Sequence, residues 1–524
     1  MQLEFLGAPM KAMDYIFVFV CSFLASVLLA VAMFNLAFGV VYDTEHFADT
    51  FFILGAAWRA LQGFTPVLDF GHFYGGFISQ TLSWTMSAFG DSASALYVYA
   101  IGISVFLIGC AVLIARQGLS LAGFSAVVLL ILTLMLTRHP LELNSPIIEV
   151  VSAHSFLYNR FAQAAMLVVA LFVALRSDNQ SKEVTGGIVS GLLVGAVCLT
   201  KSTFVVVLPG LLLALMIERR WSATGGALAG LAAFVLAFDP MLARFFGSLS
   251  YALEHVGADN GVPALIRKAI QIPLYQPVAL GLAVVALILC LRASMTGRRA
   301  LSVILFAGAV VAMTATMGGN GSLGQLALPT LAGIAIGCAE LARRNETLDT
   351  QAIQGLAVAI VLGFGVPHVL NSAAAATDGM LRQSQLLVEE GPYARYLSLP
   401  DGNIQDEHPT QYKMLSDGID ALSALDGEVS EWGIVANGGI TFEHALRAKP
   451  VTGYPLWQRD SAPEFAEERG LSDEVDVIMI AKAKNVSDRV LRSKMTKDFV
   501  LCSATDIWEI YAHRRLKLDA CEVR

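Results

Sequence analysis

The sequence predicts an α-helical polytopic membrane protein of about eleven transmembrane helices, followed by a C-terminal soluble α/β domain. Three observations carry this expectation. Of 524 residues, 56% are hydrophobic and only 15% are charged, against about 25% charged in an ordinary soluble domain. Mean hydropathy is +0.62. The charge is also unevenly placed: residues 372–524 hold 17 basic and 25 acidic side chains, which leaves 18 of each sign for the first 371. The net charge of −8 therefore sits in the last 153 positions, as in a water-exposed domain behind a neutral membrane body. A mildly acidic tail and a pI near 5.6 argue against a nucleic-acid partner.

The first apolar run, 15–42, is too long for a signal-peptide core and lacks a small-residue cleavage site, so it reads as a retained transmembrane helix. Further spans fit near 94–115, 119–137, 161–175, 186–199, 204–217, 223–238, 274–291, 300–317, 326–341 and 352–370. Several are short, as tilted or protein-buried helices are. With the N-terminus inside, eleven basic residues fall in the cytoplasm, Arg219, Arg220, Arg298, Arg299, Arg343 and Arg344 among them. Seven fall outside: Arg59, Arg138, Arg160, Lys201, Arg244, Arg267 and Lys268. The positive-inside rule favours this orientation, and an odd number of spans then places the C-terminal domain outside.

That domain has helical spacing over 411–425, a short strand over 432–436 ending at Asn437-Gly438-Gly439, and an apolar strand over 475–481. A helix rich in Lys and Arg is expected over 486–499 and a last strand over 508–513. The glycine pair reads as an ordinary turn. Cys21, Cys110, Cys198, Cys290 and Cys338 lie in apolar runs, where a thiol behaves as a small hydrophobe. Cys502 and Cys521 would be able to pair outside the cytosol, although their spacing does not demand it. No CxxC, HExxH or His/Cys cluster marks a metal or redox site. The sequence requires no cofactor, though carboxylates in the first loop would suit a divalent ion.

Those carboxylates follow the first span directly, in Tyr42-Asp43-Thr44-Glu45-His46-Phe47. Phe47, Phe51, Leu54, Trp58 and Leu61 then recur at three- and four-residue intervals. This predicts an amphipathic helix along the outer membrane surface, stopped at Gly63. Gly63-Phe64-Thr65-Pro66-Val67-Leu68-Asp69-Phe70 comes next. A hydroxyl acceptor is a poor nucleophile until a positioned carboxylate removes its proton, and Asp43 or Glu45 would serve as that base. Equally, Asp43 suits a helix cap and Glu45 the positive end of a helix dipole. Asp69 fits either a reaction site or a proline turn that its side chain steadies.

A carboxylate pair just past the first span, a surface helix and a G-x-x-P-x-x-D-F segment resemble the GT-C glycosyltransferases. The bacterial branch related to protein O-mannosyltransferases and the lipid A aminoarabinose transferase is the nearest likeness. It covers Asp43 to about Gly76, and Thr44 here separates two carboxylates that the family often has adjacent. The resemblance implies a GT-C-like membrane domain over 1–371 with an outer loop at 43–92, and an extracytoplasmic domain over 372–524. It also implies inverting transfer of a sugar from a polyprenyl-phosphate donor to an envelope glycan, lipid or protein, on the outer face of a bacterial inner membrane. Asp43, Glu45 and Asp69 would be catalytic. The leaving phosphate needs cations rather than an acid; Lys201, Arg160 and Arg138 would supply them. Lipid headgroups would hold Lys201 equally well, and Arg160 would equally anchor a helix at the interface. Glu142, Glu149 and His154, in the polar second loop, would align the acceptor.

Two other classes compete. A transporter or flippase of lipid-linked saccharides would carry intramembrane charges and broken helices in matching halves, whereas the charges here collect at helix ends. A polysaccharide polymerase or ligase usually has its main outer loop late in the chain, and here it is early. The C-terminal domain is expected to guide the acceptor and to carry no catalytic residue.

Overall fold

The computed structural model describes residues 12–38, 41–43, 47–70, 76–137, 157–239, 241–256, 277–292, 297–315, 327–344, 359, 363, 365–381, 396–398, 411–437, 441–452, 473–482, 491–492 and 495–522. In chain order the first elements are α1 (Ala12–Phe38), β1 (Val41–Asp43), α2 (Phe47–Leu61), α3 (Phe77–Phe89), α4 (Ala95–Ala115), α5 (Leu121–Leu136), α6 (Leu157–Ala174) and α7 (Gln180–Thr200). A 3-10 turn at Ser202–Val206 leads into α8 (Val207–Ile217), then α9 (Trp221–Phe238), α10 (Ala243–Val256), α11 (Pro277–Arg292), α12 (Gly297–Ala315), α13 (Ala327–Arg344) and α14 (Val366–Leu381). The remainder is β2 (Tyr396–Ser398), α15 (Gln411–Ser423), β3 (Ile434–Ala436), α16 (Phe442–Ala445), β4 (Val477–Ala481), β5 (Phe499–Ala504), β6 (Trp508–His513) and α17 (Asp519–Glu522). The chain divides into two compact units: Met1–Phe34, Ala100–Val150 and Phe156–Ala374 form one, and Asn35–Tyr99, Val151–Ser155 and Ala375–Arg524 the other.

The first unit is a multi-pass helical membrane body. Each of the first ten expected spans coincides with a described helix, and the eleventh lies mostly outside the described residues. Among the described residues, five helices are long and apolar enough to cross a bilayer alone. At its centre stands α6, buried on every side from Leu157 to Ala174. Its sequence is apolar around the whole circumference after the first two turns, the pattern of an interior helix. Small residues bring backbones close elsewhere. Gly187 and Gly191 of α7 lie against the carbonyls of Ala223 and Ala227 of α9, while Gly226 and Gly230 of α9 lie against those of Val184 and Ile188. Gly333 of α13 lies against the Leu167 carbonyl of α6, and Gly337 against the Ala174 methyl group. This is the small-xxx-small packing by which apolar helices associate in lipid.

One end of this body is closed by buried ion pairs. Arg220 forks onto Glu183 at 2.7 and 3.1 Å and donates to the carbonyls of Phe172 and Val173 at 3.1 and 3.3 Å. Arg299 donates to the Ala174 carbonyl at 3.1 Å and pairs with Glu218 at 3.3 Å. The last carbonyls of α6, which a helix leaves without internal partners, are thereby satisfied. Glu340 accepts from Ser120 and Arg343 nearby along α13. Several cations assigned to the cytoplasm from the sequence are thus neutralised inside the protein.

The second unit contains the expected α/β fold. Its sheet has the order β3-β4-β6-β5, with β3 and β4 parallel and the other neighbours antiparallel. All five residues of β4 are buried, as befits a central strand covered on both faces. Fully buried Trp508 donates Nε1–H to the Met414 carbonyl at 2.7 Å and meets Phe442 edge-on at 5.5 Å. Cys502 and Cys521 form a disulfide tying β5 to α17.

Three expectations need correction. The helix expected over 486–499 does not reach its end, because Phe499 opens β5 and packs on the sheet core. The helices α3 and α10 were not foreseen in their loops. The expected surface helix, α2, is buried from Thr50 to Ala60: only Thr50 and Arg59 are polar in that stretch, too few for a solvated face. It is α3 that exposes large apolar side chains, Trp84 and Phe89. Separately, residues 35–99 group with the C-terminal segment in the second unit.

Candidate functional site

Asp43 is the last residue of β1, which pairs in parallel with β2: Val41 stands opposite Tyr396, Tyr42 opposite Leu397 and Asp43 opposite Ser398. β-Branched and aromatic residues at Val41 and Tyr42 suit an extended strand. Glu45 lies outside the described residues.

The helix that follows, α2, is held from its polar positions. Arg59 donates from Nε and Nη2 to the two oxygens of Glu443 at 2.7 and 2.6 Å, with both side chains about as buried as side chains become, at 2% and 3% exposure. The guanidinium also lies 5.0 Å from the centre of the Phe70 ring. Trp58 Nε1–H donates to the Ala448 carbonyl at 3.1 Å. Gly63 ends the helix at φ 93°, with its N–H on the Ala60 carbonyl and that of Phe64 on Arg59, the left-handed stop expected of glycine.

The G-x-x-P-x-x-D-F segment then closes on itself. The Thr65 N–H donates to the exposed Asp69 carboxylate at 2.5 Å, and the Asp69 N–H returns to the Thr65 carbonyl at 2.9 Å. Phe70 is thereby delivered into a cluster with Phe52 and Ala56. Asp69 does the work of a turn. Gly76, at φ 88°, accommodates Pro66 where a Cβ would crowd it.

At the far end of the loop, Arg447 forks onto Asp91 at 2.7 and 3.0 Å and holds that carboxyl below the usual carboxylate range. His444 Nε2 lies 2.5 Å from the Asp91 carbonyl oxygen. A carbonyl only accepts, so the histidine donates from Nε2. Burial pushes the His444 pKa down to about 4, partly offset by Asp91, which keeps the ring neutral near pH 7.

The phosphate-binding candidates belong to the first unit. Arg160 stands in the first turn of α6 at 5% exposure, inside the protein rather than at an interface. Asn159 and Gln163, four residues apart on one face, have buried Oδ1 and Oε1 acceptors without a hydrogen-bond partner. Lys201 ends α7 in an extended conformation, with Nζ 5.6 Å from the centre of the Phe204 ring. Because Arg220 joins the end of α6 to Glu183 at the start of α7, Arg160 and Lys201 share the opposite end of this helix pair. Arg138, Glu142, Glu149 and His154 lie outside the described residues. Among the described residues no three of His, Cys, Asp or Glu gather as a metal site would need. Sequence reasoning passed over Glu443, Asn159 and Gln163. A lone arginine in the apolar run of α2 does signal a buried counter-ion, but its partner lies 384 residues away.

An apolar helical body and a first loop folded together with a C-terminal α/β segment make up a fold that solved structures share. One solved structure that it resembles is ArnT from Cupriavidus metallidurans in the apo state, with a TM-score of 0.52 and 12% identity over 94% of this chain and 97% of that one. At this identity the likeness shows the fold alone. ArnT from the same organism bound to undecaprenyl phosphate aligns at a TM-score of 0.49 and 10% identity, over 96% of this chain and 98% of that one, too loosely to add to the argument. No protein-family model matches the chain, and no curated protein matches it in sequence.

Proposed function

We propose that this chain transfers a sugar from a polyprenyl-phosphate-linked donor to an envelope glycan, lipid or protein acceptor, with inversion at the anomeric carbon. The observation that carries the reading is Asp43 at the end of a strand just past the first span, in a chain with the GT-C fold. Its carboxylate would take the proton of the acceptor hydroxyl as the new glycosidic bond forms and the lipid phosphate departs. Arg160 and Lys201, with Arg138, would hold that phosphate. Asn159 and Gln163 offer buried acceptors of the kind that sugar hydroxyls satisfy. Glu142, Glu149 and His154 keep the acceptor-aligning role that the resemblance suggests, while Asp69 is assigned to its turn. The sequence requires no cofactor, and a divalent ion on the first-loop carboxylates remains compatible with this reading. The reading places the reaction on the outer face of a bacterial inner membrane, with the N-terminus inside. A disulfide in the C-terminal segment suits an oxidising compartment.

The test is purified protein in detergent with a panel of labelled polyprenyl-phosphate sugars, reading release of polyprenyl phosphate and transfer. Asp43→Asn keeps size and removes the base, so transfer should fall by about 10²–10⁴-fold while donor binding persists. If Glu45→Gln is the inactive variant and Asp43→Asn transfers normally, the base is Glu45. Wild-type rates in both would sink the transferase reading and favour transport.

A further inference from the structure

We infer that Glu443 and Arg59 are positioning residues that latch the C-terminal segment to the strand bearing Asp43, making that segment part of the reaction centre. The inference rests on the reading of Asp43 as the base. Both ends of the first loop are tied to the C-terminal segment. At the start, β1 owes its ladder to β2, a strand 355 residues further on in the Val41–Tyr396 pair. A three-residue strand has no stability without such a partner. Just after it, α2 is joined by the Arg59–Glu443 fork, by Trp58 on Ala448 at 3.1 Å and by Thr441 on the Phe51 carbonyl at 3.4 Å. At the end, Asp91 is held by Arg447 and His444.

The chemistry of the fork indicates its purpose. A buried ion pair gains little stability over an apolar contact of the same shape, because desolvation offsets the attraction. What a bidentate Arg–carboxylate pair does provide is direction: two parallel N–H···O bonds fix the plane and the register of both partners. Here that register is between α2 and the Phe442–Ala445 turn of helix. Only residues 44–46 separate α2 from Asp43, so a slip in α2 reaches the carboxylate. Misplacing a catalytic group by about 1 Å can cost about 10²-fold in rate.

The experiment uses the full chain with Glu443→Gln, which keeps shape and one hydrogen bond but removes the charge. Hydrogen–deuterium exchange of the segment 41–61 is measured beside turnover on whichever panel donor the wild type cleaves. The expected result is faster exchange in 41–61, a kcat lowered about 10–100-fold and an unchanged KM for the lipid donor. Should Glu443→Gln not accumulate as folded protein, Arg59→Lys replaces it, keeping the charge without the fork. Wild-type exchange in 41–61 overturns the latch, and so does faster exchange with an unchanged kcat. Loss of the proposed function is a separate outcome: if the wild type cleaves no donor, or Asp43→Asn is fully active, the base assignment fails whatever the exchange shows.

Discussion

His444 shows how a single side chain ties the second unit to pH. The ring is fully buried against Trp58, with its centroid 5.9 Å from the indole, and it also faces Asp91 and Arg447. Its folded pKa of about 4 lies below the ordinary 6.5. Between those values the unfolded chain binds a proton that the folded chain refuses, so stability is full above pH 6.5 and is lost as pH falls toward 4. Asp91, whose pKa is also lowered, adds a loss in the same direction at more acid pH. The expected loss between pH 7 and pH 5 is about 2 kcal/mol, read as a fall in melting temperature. His444→Gln should flatten that slope while lowering stability at neutral pH. An equal slope in both proteins would show that the histidine is not the group responsible. From the sequence Arg59 was read only as one of the outer cations. Its partner was not legible, because nothing local distinguishes Glu443 from the other acids of the tail.

At the scale of elements, the α7–α9 crossing depends on four glycines rather than on side-chain interdigitation. Gly191 and Gly230 each lie where a Cβ would run into a carbonyl of the facing helix, Ala227 and Ile188 respectively. At Gly225 a Cβ would find nothing within 4 Å. Gly191→Ala and Gly230→Ala should therefore each cost about 1–3 kcal/mol through forced separation of the helices. Gly225→Ala should be neutral or slightly stabilising, since alanine is the better helix former. Thermal melts in detergent would compare the three; equal melting temperatures would mean that the crossing is looser than the glycines indicate. The spacing Gly187-xxx-Gly191 and Gly226-xxx-Gly230 was present in the sequence. A pattern of that kind marks a helix as ready for close approach without saying which helix approaches. For α2, periodicity found the helix and its glycine stop, and missed its burial. One apolar stripe reads the same whether the other face meets water or a second layer of protein.

At the scale of the whole molecule, the first loop and the C-terminal segment fold as one unit, which has a consequence for truncation. A chain ending after Asn371 would lose β2, Glu443 and Ala448 together. Arg59 would then be left as a buried cation without its counter-ion, a change that typically costs about 3–5 kcal/mol. We expect limited proteolysis to cut the truncated chain within 43–92 at sites the full chain protects, and transfer to be lost. A truncated protein with wild-type protection would contradict the grouping. Composition and periodicity alone were enough for the membrane class, for helices at the first ten expected spans and for three of the four sheet strands, because these signals are local and mark which residues leave water without naming what covers them. Only the tertiary structure decided that Asp69 closes a turn, that α2 is interior, and that the Asp43 strand finds its partner at Tyr396–Ser398. Each of the last two depends on chain returning from more than 300 residues away, and the choice among many chemically equivalent partners is made by the packing of the folded chain.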